Sequence, residues 1–195
     1  VPRISPANAL PLCVTSTAEL VDFEPTKVAD ADDLRPKLQA QLPDDVPVYN
    51  AEEISLQLPS STKSLDKAAY VLALNTDAET SPDDGEWASW VAKVLEASEI
   101  MHTKTTKSGK KKDVNLRSRL FSLEVVDALT LEKLPDPVKS QLAASGQCVL
   151  RYVGSCRNDG TLLRPRGVLA MLESVSGQTL TLGHIHRERL MLAEA

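Results

Sequence analysis

Apolar and polar positions along this 195-residue chain fall into short registers that switch between strand and helix periods. Residues 4–12 interleave apolar positions with Pro6 and Pro11, which predicts an extended edge or loop rather than a central strand. Residues 19–24, Glu-Leu-Val-Asp-Phe-Glu, alternate in the strand sense, with Leu20 out of phase. A helix is predicted over residues 30–42. Leu34, Leu38 and Leu42 recur at i+4, and Asp30, Asp32 and Asp33 sit where the N-terminal dipole favours anions. Pro36 falls in the tolerated first turn, Pro43 ends the helix, and residues 46–58 are expected to follow as a strand. After a polar link at 60–64, the apolar run 69–74 predicts another strand.

The acidic stretch 77–85 carries Ser81-Pro82-Asp83-Asp84-Gly85, a turn leading into a helix start. It marks the expected boundary between an N-terminal subdomain, 1–76, and a C-terminal one, 77–195. Trp87, Trp90, Val91, Val94 and Leu95 then line one helix face, and the Trp pair reads as core. Residues 100–106 and those from 113 onward bracket a hairpin tip. Residues 121–126 read as a strand, and 129–142 as a helix broken by Pro135 and Pro137. Residues 148–153 form a strand ending at Gly154, and Pro165 opens a helix that Gly177 closes. Residues 180–192 supply the last strand. The expected class is α+β, two small antiparallel-sheet subdomains with helices on one face, of which the ferredoxin-like arrangement is one form.

Composition narrows this only by exclusion. With 42% hydrophobic and 25% charged residues, the chain is neither disordered, coiled coil nor collagen-like. Aromatics at 4% leave little material for stacking single-stranded nucleic acid. No apolar run approaches the roughly 18 residues of a membrane span, so no membrane partner is expected. The chain opens Val1-Pro2-Arg3, with neither Met nor a signal-peptide pattern, and reads as a fragment or processed product. Three widely spaced cysteines, Cys13, Cys148 and Cys156, argue against a disulfide framework and for a reducing, cytoplasmic setting. Cys148 and Cys156 are expected as buried small hydrophobes, and no metal site is expected.

Charge changes the picture more. Residues 1–99 hold 7 basic and 18 acidic side chains, a net of −11, and residues 100–195 hold 15 and 9, a net of +6. Such asymmetry points either to an anionic partner for the basic half or to the two halves attracting each other. The tip region carries Lys104, Lys107, Lys110, Lys111 and Lys112 without an acid until Asp113. Phosphate backbone would compensate their mutual repulsion and would give steep salt dependence, although a solvated, lysine-rich turn is the simpler structural reading. The pattern Lys107-Ser108-Gly109-Lys110 lacks the spacing of a phosphate-binding loop for nucleotide hydrolysis. Arg117 and Arg119 would share a face if their segment were extended. Residues 154–165 bracket small polar residues between Gly154 and Gly160 and end in Arg164-Pro165, a candidate anion seat with Arg157 and Arg164 as donors. His184 and His186 flank Ile185 in the last strand, so both face one way, next to Arg187. Two histidines want a third ligand before they hold a metal, and here they read as part of the basic face. Glu52-Glu53 reads as an exposed acidic pair. No catalytic triad can be assembled, so the chain is not expected to be an enzyme on its own.

Several stretches together resemble one family. They are Pro2-Arg3-Ile4-Ser5 with Ala9-Leu10-Pro11-Leu12, Glu19 and Asp22, and the run 105–117 from Thr105 to Arg117. With them go Gly154-Ser155-Cys156-Arg157 through Arg164-Pro165, and His184-Ile185-His186-Arg187. The family is the domain of unknown function that follows the catalytic core of cobalamin-binding-type radical S-adenosylmethionine proteins. It also occurs as a separate radical SAM-linked protein, and the wording here is most similar to cyanobacterial members. Members begin earlier, so the resemblance implies an N-terminally truncated chain, and Cys13 stands where the family often has Gly. It implies a non-catalytic accessory domain that presents a substrate to a radical SAM catalytic domain in cis or in trans, with no cofactor in this chain. The iron–sulfur cluster, S-adenosylmethionine and, as a further candidate, cobalamin would sit on the parent protein. RNA is the leading expected substrate. The alternative is a structural domain that covers its own radical SAM core and binds no nucleic acid.

Overall fold

The computed structural model describes residues 1–77, 81–105 and 109–193. In chain order the elements are β1 (Arg3–Pro6), β2 (Val14–Ser16), β3 (Val21–Glu24), α1 (Ala31–Gln39), α2 (Ser61–Ser64), β4 (Leu65–Thr76), α3 (Asp84–Glu96), β5 (Met101–Thr105) and β6 (Lys111–Asn115). A 3-10 turn (Arg117–Arg119), β7 (Leu120–Val125), α4 (Ala128–Leu131), α5 (Val138–Ser145), β8 (Cys148–Ser155), α6 (Pro165–Ser176) and β9 (Leu180–Leu192) complete the chain.

The class is α+β. The main sheet has the order β2-β9-β4-β8-β7, and two ribbons, β1-β3 and β5-β6, stand apart from it. Within the sheet, β9-β4-β8-β7 are mutually antiparallel. With α3 after β4 and α6 between β8 and β9, they form the βαββαβ pattern of a ferredoxin-like unit. The central strand of the five-stranded sheet is β4, which ends where the sequence predicts a subdomain boundary. Its partners β8 and β9 come from the far side of that boundary.

Burial explains why β4 reads as a continuous apolar run rather than an alternating one. Tyr70, Leu72 and Leu74 pack with Trp87, Trp90, Val91 and Val94 of α3 and with Val168, Met171 and Leu172 of α6. Val71 and Ala73 face the other way, against Val149, Val126 and Leu142, with Leu131 and Val138 of α4 and α5 closing over them. Each fully buried large apolar side chain contributes about 2–3 kcal/mol, so this two-sided strand holds the fold together. Trp87 and Trp90 meet edge to face at 4.8 Å, and Tyr70 stacks on Tyr152 at 5.2 Å. The helix ends follow their sequence signals. Asp83 and Glu86 form a capping box on α3, Pro165 takes the first turn of α6, and Gly177 turns left-handed at φ 70° to end it.

Two expectations fail locally. Residues 46–58 form no strand. Pro47 lacks a donor, and Gln39 takes the backbone groups that a neighbouring strand would use: its Oε1 accepts from Val48 N–H at 2.7 Å and its Nε2 donates to the Val46 carbonyl at 3.4 Å. Residues 115–119 are not extended either. Asn115 Oδ1 accepts from the amides of Ile100 and Arg117, and this winds the segment into the 3-10 turn.

Candidate functional site

The β5-β6 ribbon pairs Lys104 with Lys112 directly across its two strands, and His102 with Val114 on the same side. Val114 belongs to the core, so this side of the ribbon turns toward the body of the protein. Facing it, the 3-10 turn presents Arg119, whose Nη1 donates to the Leu162 carbonyl at 3.3 Å just before α6 begins. Arg164 is the N-cap residue of α6 and is exposed. Burial first, then the charges of Arg119 and Arg164, hold the Lys104 ammonium below the ordinary lysine range. Two guanidinium groups from two other segments therefore bear on the Lys104 ammonium, and among the described residues no carboxylate pairs with any of the three. An anion with several oxygens would relieve that repulsion and take bidentate contacts from the two guanidinium groups.

The remaining sequence candidates divide by location. Lys110 and Lys111 are exposed on the ribbon, Lys111 opposite Thr105. Lys107 lies outside the described residues. Arg117, expected beside Arg119, turns inward instead. Its Nη2 donates to the Leu95 carbonyl at 2.9 Å and its Nη1 to the Leu120 carbonyl at 3.1 Å, which fastens the end of α3. Arg157 pairs with Asp66, Nε to Oδ1 at 2.6 Å, at the start of β4. The 154–165 loop is closed by its own bonds: Asp159 accepts from the Thr161 amide, and Leu163 N–H donates to the Ser155 carbonyl. It offers Arg164 to the site and keeps Arg157 elsewhere.

Arg187 leaves the predicted basic surface altogether. It is fully buried, opposite Tyr70 in the sheet. Its Nε donates to Glu19 at 2.8 Å, its Nη1 to Asn8 Oδ1 at 2.9 Å and its Nη2 to the Asn8 carbonyl at 2.9 Å. His184 and His186 do share a face, as alternation requires. Thr15 Oγ1 stands 3.0 Å from His184 Nε2 and 2.8 Å from His186 Nδ1, and Thr17 Oγ1 is 2.7 Å from His186 Nε2. Both imidazoles are thus occupied in attaching β2 to β9, where Thr15 lies opposite His186 in a parallel register. Burial lowers the pKa of each. For His186 the charge of His184 adds to this and Glu188 opposes it. Thr15, Thr17 and Asn8 escaped the sequence reading. The one available signal was spacing, since Thr15 and Thr17 repeat the i, i+2 interval of the two histidines.

The three cysteines do not fit an iron–sulfur cluster. Cys13 is exposed on the N-terminal arm, whereas Cys148 and Cys156 are buried at opposite ends of β8. Burial pushes the Cys148 thiol up to about 12 and the Cys156 thiol to about 11, so both rest as neutral thiols. Among the described residues no three His, Cys, Asp or Glu side chains converge as a metal site. No helix among them is long and apolar enough to cross a membrane.

No curated protein matches the chain. Among solved structures, a chain of the "Crystal Structure of a Cbf5-Nop10-Gar1 Complex" is similar at a TM-score of 0.50 and 12% identity, over 96% of this chain and 40% of that one. This chain spans less than half the length of that relative, and at such identity the likeness concerns the fold alone. A family model described as an uncharacterized protein conserved in bacteria (DUF2344) matches residues 1–165, and the chain belongs to that family.

Proposed function

We propose that this chain is a non-catalytic accessory domain that docks an anionic substrate, RNA, for a radical SAM catalytic domain in the same or a partner polypeptide. The observation that carries the anion reading is the convergence of Lys104, Arg119 and Arg164, with Lys112 across the ribbon, free of any carboxylate pair among the described residues. The link to radical SAM chemistry rests on the resemblance of the Thr105–Arg117, 154–165 and His184–Arg187 stretches to that domain family. The iron–sulfur cluster, S-adenosylmethionine and cobalamin belong, on this reading, to the parent's other domains.

The test is fluorescence anisotropy of a labelled small-RNA pool on the folded chain across a salt series. Binding should weaken steeply with salt. Replacing Lys104, Lys112 and Arg164 by Ala should flatten the logarithmic slope by about 1 for each phosphate that is no longer neutralised. An unchanged slope, or no binding by the folded chain, overturns the reading.

A second reading has its own support. Ile4, Leu12, Val21, Tyr49, Ile54 and Leu56 are exposed, and α1 buries none of its residues. The N-terminal part would then pack against its own catalytic core and serve a structural role only. Crosslinks from residues 4–56 to that core, with no RNA affinity, would favour it.

A further inference from the structure

We infer that the docked RNA is double-stranded and that the β5-β6 ribbon lies in its wide groove; this rests on the RNA-docking reading above. The first ground is the disposition of charge on the ribbon. Lys104 and Lys112 lie opposite each other on the side turned toward the body, and Lys111 lies on the other side, opposite Thr105. A two-stranded arm with ammonium groups on both faces matches a shallow groove with a line of phosphates along each rim. A lone strand offers one line of phosphates and leaves one face of the arm unmatched. Arg119 and Arg164 bear on Lys104 from the body, so the phosphates along one rim would meet cations from both the ribbon and the body. In A-form RNA the wide, shallow groove is read through backbone and 2′-hydroxyl contacts rather than base edges. Lys side chains on an exposed ribbon suit such contacts.

The second ground is where the aromatic residues are. Sequence-tolerant binding of single strands depends on stacking bases against aromatic faces. The chain has seven aromatic side chains, Phe23, Tyr49, Tyr70, Trp87, Trp90, Phe121 and Tyr152. Tyr70, Trp87, Trp90 and Tyr152 are buried in the core. Phe23 lies in the β1-β3 ribbon, and Tyr49 in the segment after α1. Phe121 is two residues from Arg119, but its ring carries the Lys67 ammonium 4.6 Å from its centroid. Lys67 alternates with Tyr70 and Leu72 across the main sheet, which puts the pair on the face away from α3 and α6. The basic cluster thus offers charge and hydrogen bonds but no Phe, Tyr or Trp ring for stacking.

The experiment compares one short duplex RNA with one of its strands, chosen to be unstructured, on the full 195-residue chain at fixed salt. The duplex should bind about tenfold tighter or more. Lys104→Ala/Lys112→Ala should cut duplex affinity by about tenfold, in line with the removal of two phosphate-neutralising charges, while the far-ultraviolet circular dichroism stays unchanged. Lys111→Ala, on an exposed position, should weaken the duplex and leave the single strand unaffected. Equal or tighter binding of the single strand overturns the duplex inference and leaves RNA docking standing. Failure of both probes to bind the folded chain overturns both.

Discussion

Arg187 and Glu19, 168 positions apart in sequence, meet as a two-pronged ion pair whose guanidinium is fully buried and whose carboxylate is 30% exposed. The guanidinium also donates to two oxygens of Asn8, its side-chain Oδ1 and its backbone carbonyl. One side chain of β9 therefore anchors the arm that runs from Asn8 through β2 to Glu19. Removing the carboxylate would leave a buried charge without its counterion, which costs about 3 kcal/mol or more. Glu19→Ala should lower the urea midpoint accordingly. A loss below about 1 kcal/mol, the range of a surface pair, would contradict the anchoring role.

The histidine attachment of β2 gives stability a pH dependence of definite sign. Burial lowers the pKa of His184 and of His186, so the unfolded chain takes up protons before the folded one does. The contribution of this pair is complete above about pH 6.5, the ordinary histidine value, and is lost as pH falls through the lower folded values. Imidazole proton resonances of both residues should titrate below 6.5, and a midpoint at or above it would refute the assignment. Thr15→Val, which removes the hydroxyl shared by the two rings, should destabilise the fold by about 1–2 kcal/mol.

Cys13 holds a left-handed backbone at φ 64°, a conformation that costs a residue with a side chain about 1–2 kcal/mol. It is also the position where the resembled family often has Gly. Cys13→Gly should raise stability by about 0.5–1 kcal/mol in denaturant unfolding. A destabilised variant would mean that the Cys13 side chain supports the turn in some further way.

Gly183 sits at an irregularity in the β4-β9 register, and a Cβ there would come within 1.8 Å of the Ser145 carbonyl oxygen at the end of α5. That oxygen already accepts from Asn75 Nδ2 at 2.8 Å, so it is not free to move. Gly183→Ala should cost about 2–3 kcal/mol by overpacking. A neutral substitution would show that α5 docks loosely.

The parts of the fold that could be read in advance are those whose signals are local. Trp87, Trp90, Val91 and Val94 announce α3 by spacing, Pro165 and Gly177 bracket α6, and the runs at 148–153 and 180–192 become β8 and β9. The misreadings came from partners distant in sequence. Val46 and Val48 have strand character, but Gln39 binds their backbone. Arg117 and Arg119 look equivalent until Leu95 and Leu162 draw them to different sides. Arg187 reads as surface charge in sequence because arginine is rarely fully buried; Glu19 and Asn8, far upstream, and Tyr70 across the sheet make its burial tolerable. Of the candidate basic residues, Lys104, Arg119 and Arg164 are brought near one another, with Lys112 paired to Lys104 across the ribbon. Their meeting depends on the ribbon folding back toward α6, which no local pattern encodes.

The central claim is that an anionic substrate docks between the ribbon and the start of α6, and lysine footprinting tests it most directly. The folded chain would be acylated with and without bound RNA and the modified peptides quantified by mass spectrometry. Lys104 and Lys112 should be protected by RNA, while the exposed Lys27, Lys37 and Lys63 of the N-terminal part react equally in both states. Protection of those N-terminal lysines with Lys104 and Lys112 unchanged would contradict the account.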